Sequence, residues 1–299
     1  MRVGVSLSHR AARDLGLDPV HAFEQLASCG FAPIRLSAYW DWDPGDDYRI
    51  LDSMVAAAER LGTSIVITVG MKAMRWPEFY IPATIQRDQL ALAVVDFAST
   101  TVARYRHSPV VEAWQVENEP RNRSGPGFEL VPTDLLQREM KAVAQVDPRP
   151  QIVNCFLHFT RLSDLVSRPW PWYDVVGHLL DLVPTDHVLG FDIHPFISRK
   201  LGPMRWLSSA RDGWPQEWRA VADRVRSAGR RIWVTESQAE PWGPGSLDPA
   251  RMQRTFEAVV EAEPEVVLLW GAEFWLKRQS AGDPGWMEAA LSLVKSAQL

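Results

Sequence analysis

The feature that most constrains the fold is an alternation, repeated eight times, between short β-branched apolar runs and segments with helical periodicity. One run, residues 64–70 (SIVITVG), is too apolar to face water on either side, which is typical of a parallel sheet covered by helices. The predicted strands cover residues 2–7, 32–40, 64–70, 110–120, 151–157, 188–196, 230–237 and 265–275. Eight β-α units in 299 residues predict an α/β fold, a (β/α)8 TIM barrel, whose typical size is roughly 250 residues.

The helix boundaries carry signals that support this alternation. Asp18 and Pro19 form an N-cap and a first helical residue, and Gly30 marks the end of the helix that follows. Asp248, again followed by proline, opens a later helix. A doubly wound open sheet is the alternative, but the segment after the first strand, SLSHRAARDLG, lacks the GxGxxG turn of that fold. We therefore predict a single barrel domain over residues 1–299.

Polar side chains follow the predicted strands at their carboxyl ends. In a barrel these ends meet at one mouth, which is where active sites of this fold lie. The second to fourth strands lead to Arg35, Tyr39, Trp40, Lys72, Arg75, Trp76, Asn118 and Glu119; the sixth to eighth lead to Asp192, His194, Glu236, Glu273 and Trp275. Packing alone does not explain so many polar groups at one end of the strands.

Two of these residues, Glu119 and Glu236, would face each other across the mouth. Such a carboxyl pair is what glycoside hydrolysis requires, because one carboxyl protonates the leaving oxygen and the other attacks the anomeric carbon or activates water. A retaining mechanism predicts carboxyl groups roughly 5–5.5 Å apart. Arg35 could keep a nucleophilic carboxylate ionised, Asn118 could donate to a sugar hydroxyl, and Trp275 could support a sugar ring.

With WQVENEP (114–120) on the fourth strand and IWVTES on the seventh, the chain resembles the clan A retaining glycoside hydrolases, the cellulase-, mannanase- and β-galactosidase-like barrels. The resemblance spans nearly the whole chain. It implies that Glu119 is the general acid/base and Glu236 the nucleophile. It further implies that Asn118 binds the 2-hydroxyl of the reacting sugar and that Arg35 supports the nucleophile.

The same resemblance extends to aromatic residues and to one histidine. His194 falls near the sixth-strand position where such enzymes hold a histidine or tyrosine. Trp275 resembles the aromatic platform beneath the reacting sugar, with Trp270 a less favoured candidate. Trp40 and Trp76, together with Trp242, could form further sugar subsites. Other tryptophans in polar or Pro/Gly-rich surroundings are Trp42, Trp170 and Trp172.

One difficulty concerns the geometry of the fourth strand. Neighbouring strand residues point to opposite faces, so Asn118 and Glu119 cannot both face the site on a regular strand. We expect a β-bulge at the strand end, because bulges occur beside active sites. Glu117 is then expected to have a structural role, paired with an arginine.

Two alternative functions use the same residues. A metal-dependent barrel hydrolase or isomerase could ligate a divalent ion through Asp192, His194, Glu236 and Glu119, although neither HExxH nor an HxH after the first strand is present. A non-catalytic carbohydrate-binding barrel is the other alternative. We expect a carbohydrate substrate and no metal or other cofactor; sugar identity, linkage, exo or endo action and oligomeric state stay open.

Composition limits the possible partners. The net charge is −5 and no basic stripe is present, so we expect no nucleic-acid partner. No apolar run reaches the roughly 18 residues of a membrane span, and no leader is seen, so we expect a cytoplasmic protein without a membrane partner. Cys29 and Cys155 lack metal-binding spacing and are expected to be small buried hydrophobic residues.

Overall fold

The computed structural model describes residues 1–41, 44–157, 159, 173–201 and 204–298. Trp42, Trp170 and Trp172 lie outside the described residues. The strands are β1 (Arg2–Ser6), β2 (Ile34–Ser37), β3 (Ile65–Val69), β4 (Val111–Val116), β5 (Gln151–Phe156), β6 (Val188–Ile193), β7 (Phe196–Leu201), β8 (Met204–Ser209), β9 (Arg231–Gln238) and β10 (Val266–Trp270). The helices are α1 (His9–Asp14), α2 (Pro19–Ser28), α3 (Pro44–Leu61), α4 (Leu90–Tyr105), α5 (Thr133–Val146), α6 (Val175–Leu182), α7 (Trp214–Ser227), α8 (Pro249–Val260), α9 (Ala272–Ser280) and α10 (Gly285–Gln298).

Eight of the strands close into a parallel barrel in the order β1-β10-β9-β6-β5-β4-β3-β2. The barrel closes between the first and last strands, where Val3 pairs with Val267. The two remaining strands, β7 and β8, form an antiparallel hairpin that follows β6. The predicted (β/α)8 TIM barrel is therefore confirmed.

The predicted helix signals operate as expected. The Asp18 side chain accepts a hydrogen bond of 2.7 Å from the backbone N–H of His21, and Asp248 accepts one of 2.8 Å from Arg251. Both aspartates precede a proline at the first helical position, which has no N–H to satisfy. Gly30 adopts a left-handed φ of 88° after α2, a conformation that glycine adopts without steric cost.

The apolar core has two parts. The larger part lies between the strands and the outer helices, where every residue of strands such as β3 is buried. The smaller part fills the lower interior of the barrel and consists of Val66, Ala113, Ile152, Val188, Trp233, Val266 and Leu268. This arrangement matches the layered interior of a TIM barrel.

Above that apolar layer the barrel interior is polar. Since alternate strand residues point inward, the residues two positions further along β4, β5 and β9 also face the interior. The buried polar residues of this region include Ser6, Arg35, Gln115, Asn154, Asp192 and Thr235. They hydrogen-bond to one another, as when Asn154 Nδ2 donates to Asp192 Oδ2 at 2.6 Å. Buried polar groups without such partners would each cost about 1–3 kcal/mol.

The eighth predicted strand is shorter than expected. β10 ends at Trp270, and Gly271, with a φ of 127°, turns the chain into α9. Glu273 and Trp275 therefore lie on a helix rather than on a strand. The helix α1 and the hairpin of β7 and β8 were not predicted at all.

Two smaller expectations can also be compared with the structure. Cys155 is buried as predicted, whereas Cys29 is only half-buried, and neither forms a disulfide. Among the described helices, none combines the length and the apolar composition needed to cross a bilayer.

Candidate active site

A local irregularity in β9 brings Glu236 into the barrel mouth. Val234 pairs with Phe191 of β6, but Glu236 pairs with the next β6 residue, Asp192, so Thr235 is an extra residue in the ladder. Both Thr235 and Glu236 consequently point inward. Thr235 donates a hydrogen bond of 2.5 Å to Asp192, and Glu236 reaches Arg35. A bulge of this kind re-aims a side chain beside a functional site.

Glu236 is held as a carboxylate. An Nη2 group of Arg35 donates to Oε1 at 2.6 Å, and Nε2 of His194 lies 2.9 Å from Oε2. Burial opposes ionisation, but the charge of Arg35 and the hydrogen bond with His194 outweigh it and lower the pKa of Glu236. The side chain is only 5% exposed, so bulk water does not screen the ion pair.

Arg35 is itself fixed in one orientation. Its Nε donates to Ser6 at 3.0 Å, and Nη1 donates to Gln115 at 3.0 Å. The guanidinium is fully buried. A planar fork with several occupied donors points its remaining N–H at Glu236 with little freedom.

The segment after β4 places Asn118 and Glu119 at the same mouth. β4 ends at Val116, and both Glu117 and Glu119 adopt left-handed φ angles, 60° and 46°. The chain thus leaves the extended conformation instead of forming the expected ladder bulge at this end of the strand. Such angles are costly for residues other than glycine. The Glu119 backbone is held by a 2.8 Å hydrogen bond to Oδ1 of Asn154.

Glu119 has surroundings that favour its protonated form. The residue is 6% exposed. Burial and the charge of Glu236 raise its pKa to about 7, although the Lys72 ammonium, 3.9 Å from Oε2, and the Asn122 amide oppose the rise. The two carboxyls of the predicted pair therefore have opposite pKa shifts, which is the pattern of an acid and a nucleophile in one site.

Asn118 is oriented by its neighbours. Its Oδ1 accepts hydrogen bonds from Gln115 Nε2 at 3.1 Å and from Asn154 Nδ2 at 3.2 Å, with Arg35 Nη1 at 3.4 Å. Since the oxygen is fully used, the amide NH2 is the group that can donate to a ligand. These three donors also fix which atom of the Asn118 amide is the oxygen and which is the nitrogen.

Glu117 has a structural position, but its predicted arginine partner is wrong. Its carboxylate accepts backbone N–H bonds from Met71 at 3.0 Å and from Lys72 at 2.6 Å. It occupies the space that a side chain at Gly70 would need. Its neighbouring side chain is the buried carboxyl of Glu139 on α5, and burial together with Glu117 raises the pKa of Glu139.

Three carboxyl groups meet at the centre of the mouth. One oxygen each from Glu119, Asp192 and Glu236 lies within 4.8 Å of the others. Burial and the two glutamates raise the pKa of Asp192 well above its usual range. The group could in principle ligate a divalent ion, but Arg35 and His194 already occupy the oxygens of Glu236, and Asn154 and Thr235 those of Asp192. The donor set therefore fits a cation poorly.

Neither a family model nor a curated protein sequence matches the chain. Solved structures do. The GH5_18 structure from Streptomyces cattleya, in complex with GlcNAc, is 16% identical, with 98% of this chain and 79% of that chain covered and a TM-score of 0.64. A fungal β-1,4-galactanase is 13% identical over 99% of both chains, with a TM-score of 0.65. Cel5A from Thermotoga maritima, determined with cellobiose, is 13% identical over 98% of this chain and 96% of that one, with a TM-score of 0.66.

At these identities the likeness establishes the fold. The resemblance that the sequence indicates therefore extends to the whole barrel architecture. What the side chains at the mouth do is a separate question, and it depends on their geometry.

The aromatic platform predicted at Trp275 is wrong. Trp275 lies on α9, is fully buried, and donates its indole N–H to the backbone oxygen of Ala239 at 2.6 Å. A tryptophan that does lie at the mouth is Trp270, the last residue of β10. Its indole N–H donates to Glu240 at 3.1 Å, and its ring centroid lies 6.2 Å from that of His194.

The other predicted sugar contacts divide into two groups. His194 and Trp242 lie at the mouth, where their rings stack with centroids 4.3 Å apart and His194 contacts Glu236. Trp40 instead stacks on Phe97 of α4 at 5.5 Å, on the outer side of the barrel. Trp76 is 69% exposed and is available at the rim.

Two residues of the site were not singled out from the sequence, and a third, Lys72, was expected at the mouth without a role. Gln115 and Asn154 orient Arg35, Asn118 and Glu119 from below, and the signal was an uncharged polar residue at an inward position of an apolar strand. Lys72 is fully buried and donates to the backbone oxygen of Glu119 at 2.7 Å. A lysine directly after an apolar strand was the signal, but its partners depend on the path of the loop.

Proposed function

We propose that the protein is a retaining glycoside hydrolase that cleaves a β-glycosidic bond in an oligosaccharide or small glycoside. The observation that carries the proposal is the pair of Glu119 and Glu236. One oxygen of Glu119 lies within 4.8 Å of one oxygen of Glu236, and the pKa of Glu119 is raised to about 7 while that of Glu236 is lowered. This separation supports the short spacing of retaining enzymes, roughly 5–5.5 Å, rather than the wider spacing that inversion needs.

In the proposed first step, Glu236 attacks the anomeric carbon while Glu119 gives its proton to the leaving oxygen. Arg35 and His194 keep Glu236 ionised and direct its oxygens. In the second step Glu119 accepts a proton from water, which displaces the sugar from Glu236. Once Glu236 is esterified its charge no longer raises the pKa of Glu119, so the same carboxyl becomes a better base.

Substrate binding would use the groups that surround this pair. The Asn118 NH2 would donate to a hydroxyl next to the reacting carbon, since the amide oxygen is already used by Gln115 and Asn154. Trp270, at the end of β10, is 6% exposed and has the Arg75 guanidinium over its ring, so Trp242 and Trp76 offer the more accessible aromatic surface. Trp40 is the weakest of the proposed sugar contacts because its ring is packed against Phe97.

The direct test is hydrolysis of p-nitrophenyl β- and α-glycosides of common sugars, followed by NMR of the first product. We expect turnover of a β-glycoside and release of the β-anomer before mutarotation. Release of the α-anomer would contradict the retaining mechanism. Activity that disappears with a chelator and returns with a divalent ion would instead favour the metal-dependent alternative, and sugar binding without turnover the non-catalytic one.

A further prediction concerns Lys72. The ammonium lowers the pKa of Glu119, so Lys72→Met should raise that pKa. The alkaline limb of kcat/KM, which follows loss of the Glu119 proton, should move to higher pH by about one unit. The exposed Lys295 on α10 provides the control, since Lys295→Met should leave the limb in place. An unchanged limb in a folded Lys72→Met protein would exclude the electrostatic role.

A further inference from the structure

One side of the barrel mouth is closed by a charged bridge. Arg75, in the segment after β3, forms ion pairs with Glu240, which follows β9, and with Glu273 of α9, the latter at 2.6 Å. Arg75 has a left-handed φ of 74°, a conformation that a residue other than glycine keeps only when its surroundings hold it there. The surrounding structure therefore holds Arg75 in this position, and the bridge is not a chance surface contact.

The bridge connects opposite sides of the barrel mouth. In the barrel order, β3 and β9 are four strands apart in both directions, so they stand on opposite sides. Arg75 takes the route past β10, because its guanidinium lies 4.3 Å from the ring centroid of Trp270. Trp270 also donates its indole N–H to Glu240. The bridge thus crosses above β10, β1 and β2, and leaves the side of β5 and β6 free of it.

The space beneath the bridge is filled by side chains. Ser8, after β1, donates its backbone N–H to Glu273, and its hydroxyl lies 2.6 Å from that of Tyr39, after β2. The Tyr39 ring packs edge-on against Tyr80 at 4.6 Å. Tyr80 donates to the backbone oxygen of Arg75 at 3.1 Å. The four residues that lie beneath Arg75 are each at most 5% exposed, and together they form a closed wall: Ser8, Tyr39, Tyr80 and Glu273.

The wall stands next to the reacting groups. The guanidinium carbon of Arg35, which binds Glu236, lies 5.8 Å from the ring centroid of Trp270, and that of Arg75 lies 4.3 Å from the same centroid, so a single side chain links the bridge to the residue that holds the nucleophile. A sugar bound at Glu236 and extending toward β10 would meet the bridge of Arg75 and Glu240, which covers Trp270 there. A polysaccharide cut at an internal bond must leave the site in both directions, and the wall blocks one of them. The proton donor Glu119 follows β4, on the open side, so the leaving part of the substrate lies there and the non-reducing part faces the wall.

We propose that the protein is exo-acting, removing one sugar at a time from the unsubstituted non-reducing end of a β-linked substrate. This proposal rests on the function proposed above. The Arg75 and Glu240 side chains are 20% and 14% exposed, so their edges remain available to donate to and accept from hydroxyls of that terminal sugar. A further sugar attached at those hydroxyls would collide with the bridge.

The test compares p-nitrophenyl β-mannoside, β-glucoside and β-galactoside with the p-nitrophenyl glycosides of the matching β-1,4-linked disaccharides. For the sugar that is turned over, nitrophenol should appear at once from the monosaccharide glycoside. The disaccharide glycoside should first lose its terminal sugar and release nitrophenol only after a lag. Direct release of the intact disaccharide should be at least ~100-fold less efficient in kcat/KM.

The bridge can be opened by Arg75→Ala, with the exposed Arg87→Ala as control. We expect the opened variant to raise direct disaccharide release relative to the monosaccharide glycoside by about tenfold or more, and the control to keep the wild-type ratio. If Arg75→Ala does not fold, the wild-type product pattern alone decides. Intact disaccharide as the first wild-type product would overturn exo action while leaving glycosidase activity established. If no glycoside is turned over, the proposed function is contradicted, and so is exo action.

Discussion

Glu236→Ala is expected to lose nearly all activity, with kcat falling by roughly four orders of magnitude or more. The reason is specific to this side chain. Glu236 is the carboxylate that Arg35 and His194 hold ionised, and removing it leaves both partners without their acceptor. The two carboxyls nearest to Glu236 at the centre of the mouth, Glu119 and Asp192, have raised pKa values and are poor replacements as nucleophiles.

Azide turns this loss into a decisive measurement. The truncated side chain leaves room for the small anion beside Arg35, from where it can attack the anomeric carbon directly. We expect azide to restore turnover of an activated aryl β-glycoside and to yield the α-glycosyl azide, identified by NMR. Glu288→Ala, which removes an exposed carboxylate on α10, should behave as the wild type. A Glu236→Ala protein that stays folded and active would remove Glu236 from the reaction.

Glu119→Ala should affect the two steps differently. A glycoside with a poor leaving group should react about 10³-fold more slowly, since its oxygen then leaves without a proton. A dinitrophenyl glycoside needs no such proton, so its first step should be nearly unaffected, and a burst of dinitrophenol should precede slow turnover. Azide should accelerate the second step and give the β-glycosyl azide, the opposite anomer from that expected with Glu236→Ala.

The pH profile of the same variant provides an independent check. In the wild type, kcat/KM should fall as pH rises through the Glu119 pKa of about 7, because the acid loses its proton. It should also fall at low pH, as Glu236, with its lowered pKa, takes one up. Glu119→Ala should abolish the alkaline limb and keep the acidic one. An alkaline limb that persists would assign that ionisation to another group.

Much of the fold was predictable because it depends on local pattern. The eight apolar runs alternate with helices whose ends carry caps such as Asp18 and Asp248, and each signal acts over a few residues. The exceptions are the helix α1, the hairpin of β7 and β8, and the end of the last strand, and the last of these affects the site. The segment WGAEFW combines large apolar residues with a glycine, and alternation alone does not reveal that Gly271 ends the strand and that Ala272 begins a helix. The mistaken platform at Trp275 follows from that boundary.

The site was predictable to the extent that strand order determines it. Parallel strands bring their carboxyl ends together, so Glu119, Glu236 and Arg35 could be expected at one mouth before any coordinates. The Arg75 bridge could not be predicted, since its partners Glu240 and Glu273 lie far away in sequence and meet it only through the paths of the segments after β3, β9 and β10. The left-handed turns at Glu117 and Glu119 are similar, because residues other than glycine give no local sign of them.

The division of the barrel interior has a consequence for engineering. Below, an apolar layer that includes Trp233 and Leu268 can be repacked for stability, as can the shell between strands and helices. Above, the hydrogen-bonded residues around Arg35 and Asn154 orient the side chains of the site and bury polar rather than apolar surface. Apolar replacements there are expected to preserve or raise the free energy of unfolding and to abolish the proposed activity. Selection for heat resistance alone is therefore expected to replace polar residues of the upper interior. A library that is meant to keep the reaction should vary the outer shell and leave the upper interior unchanged.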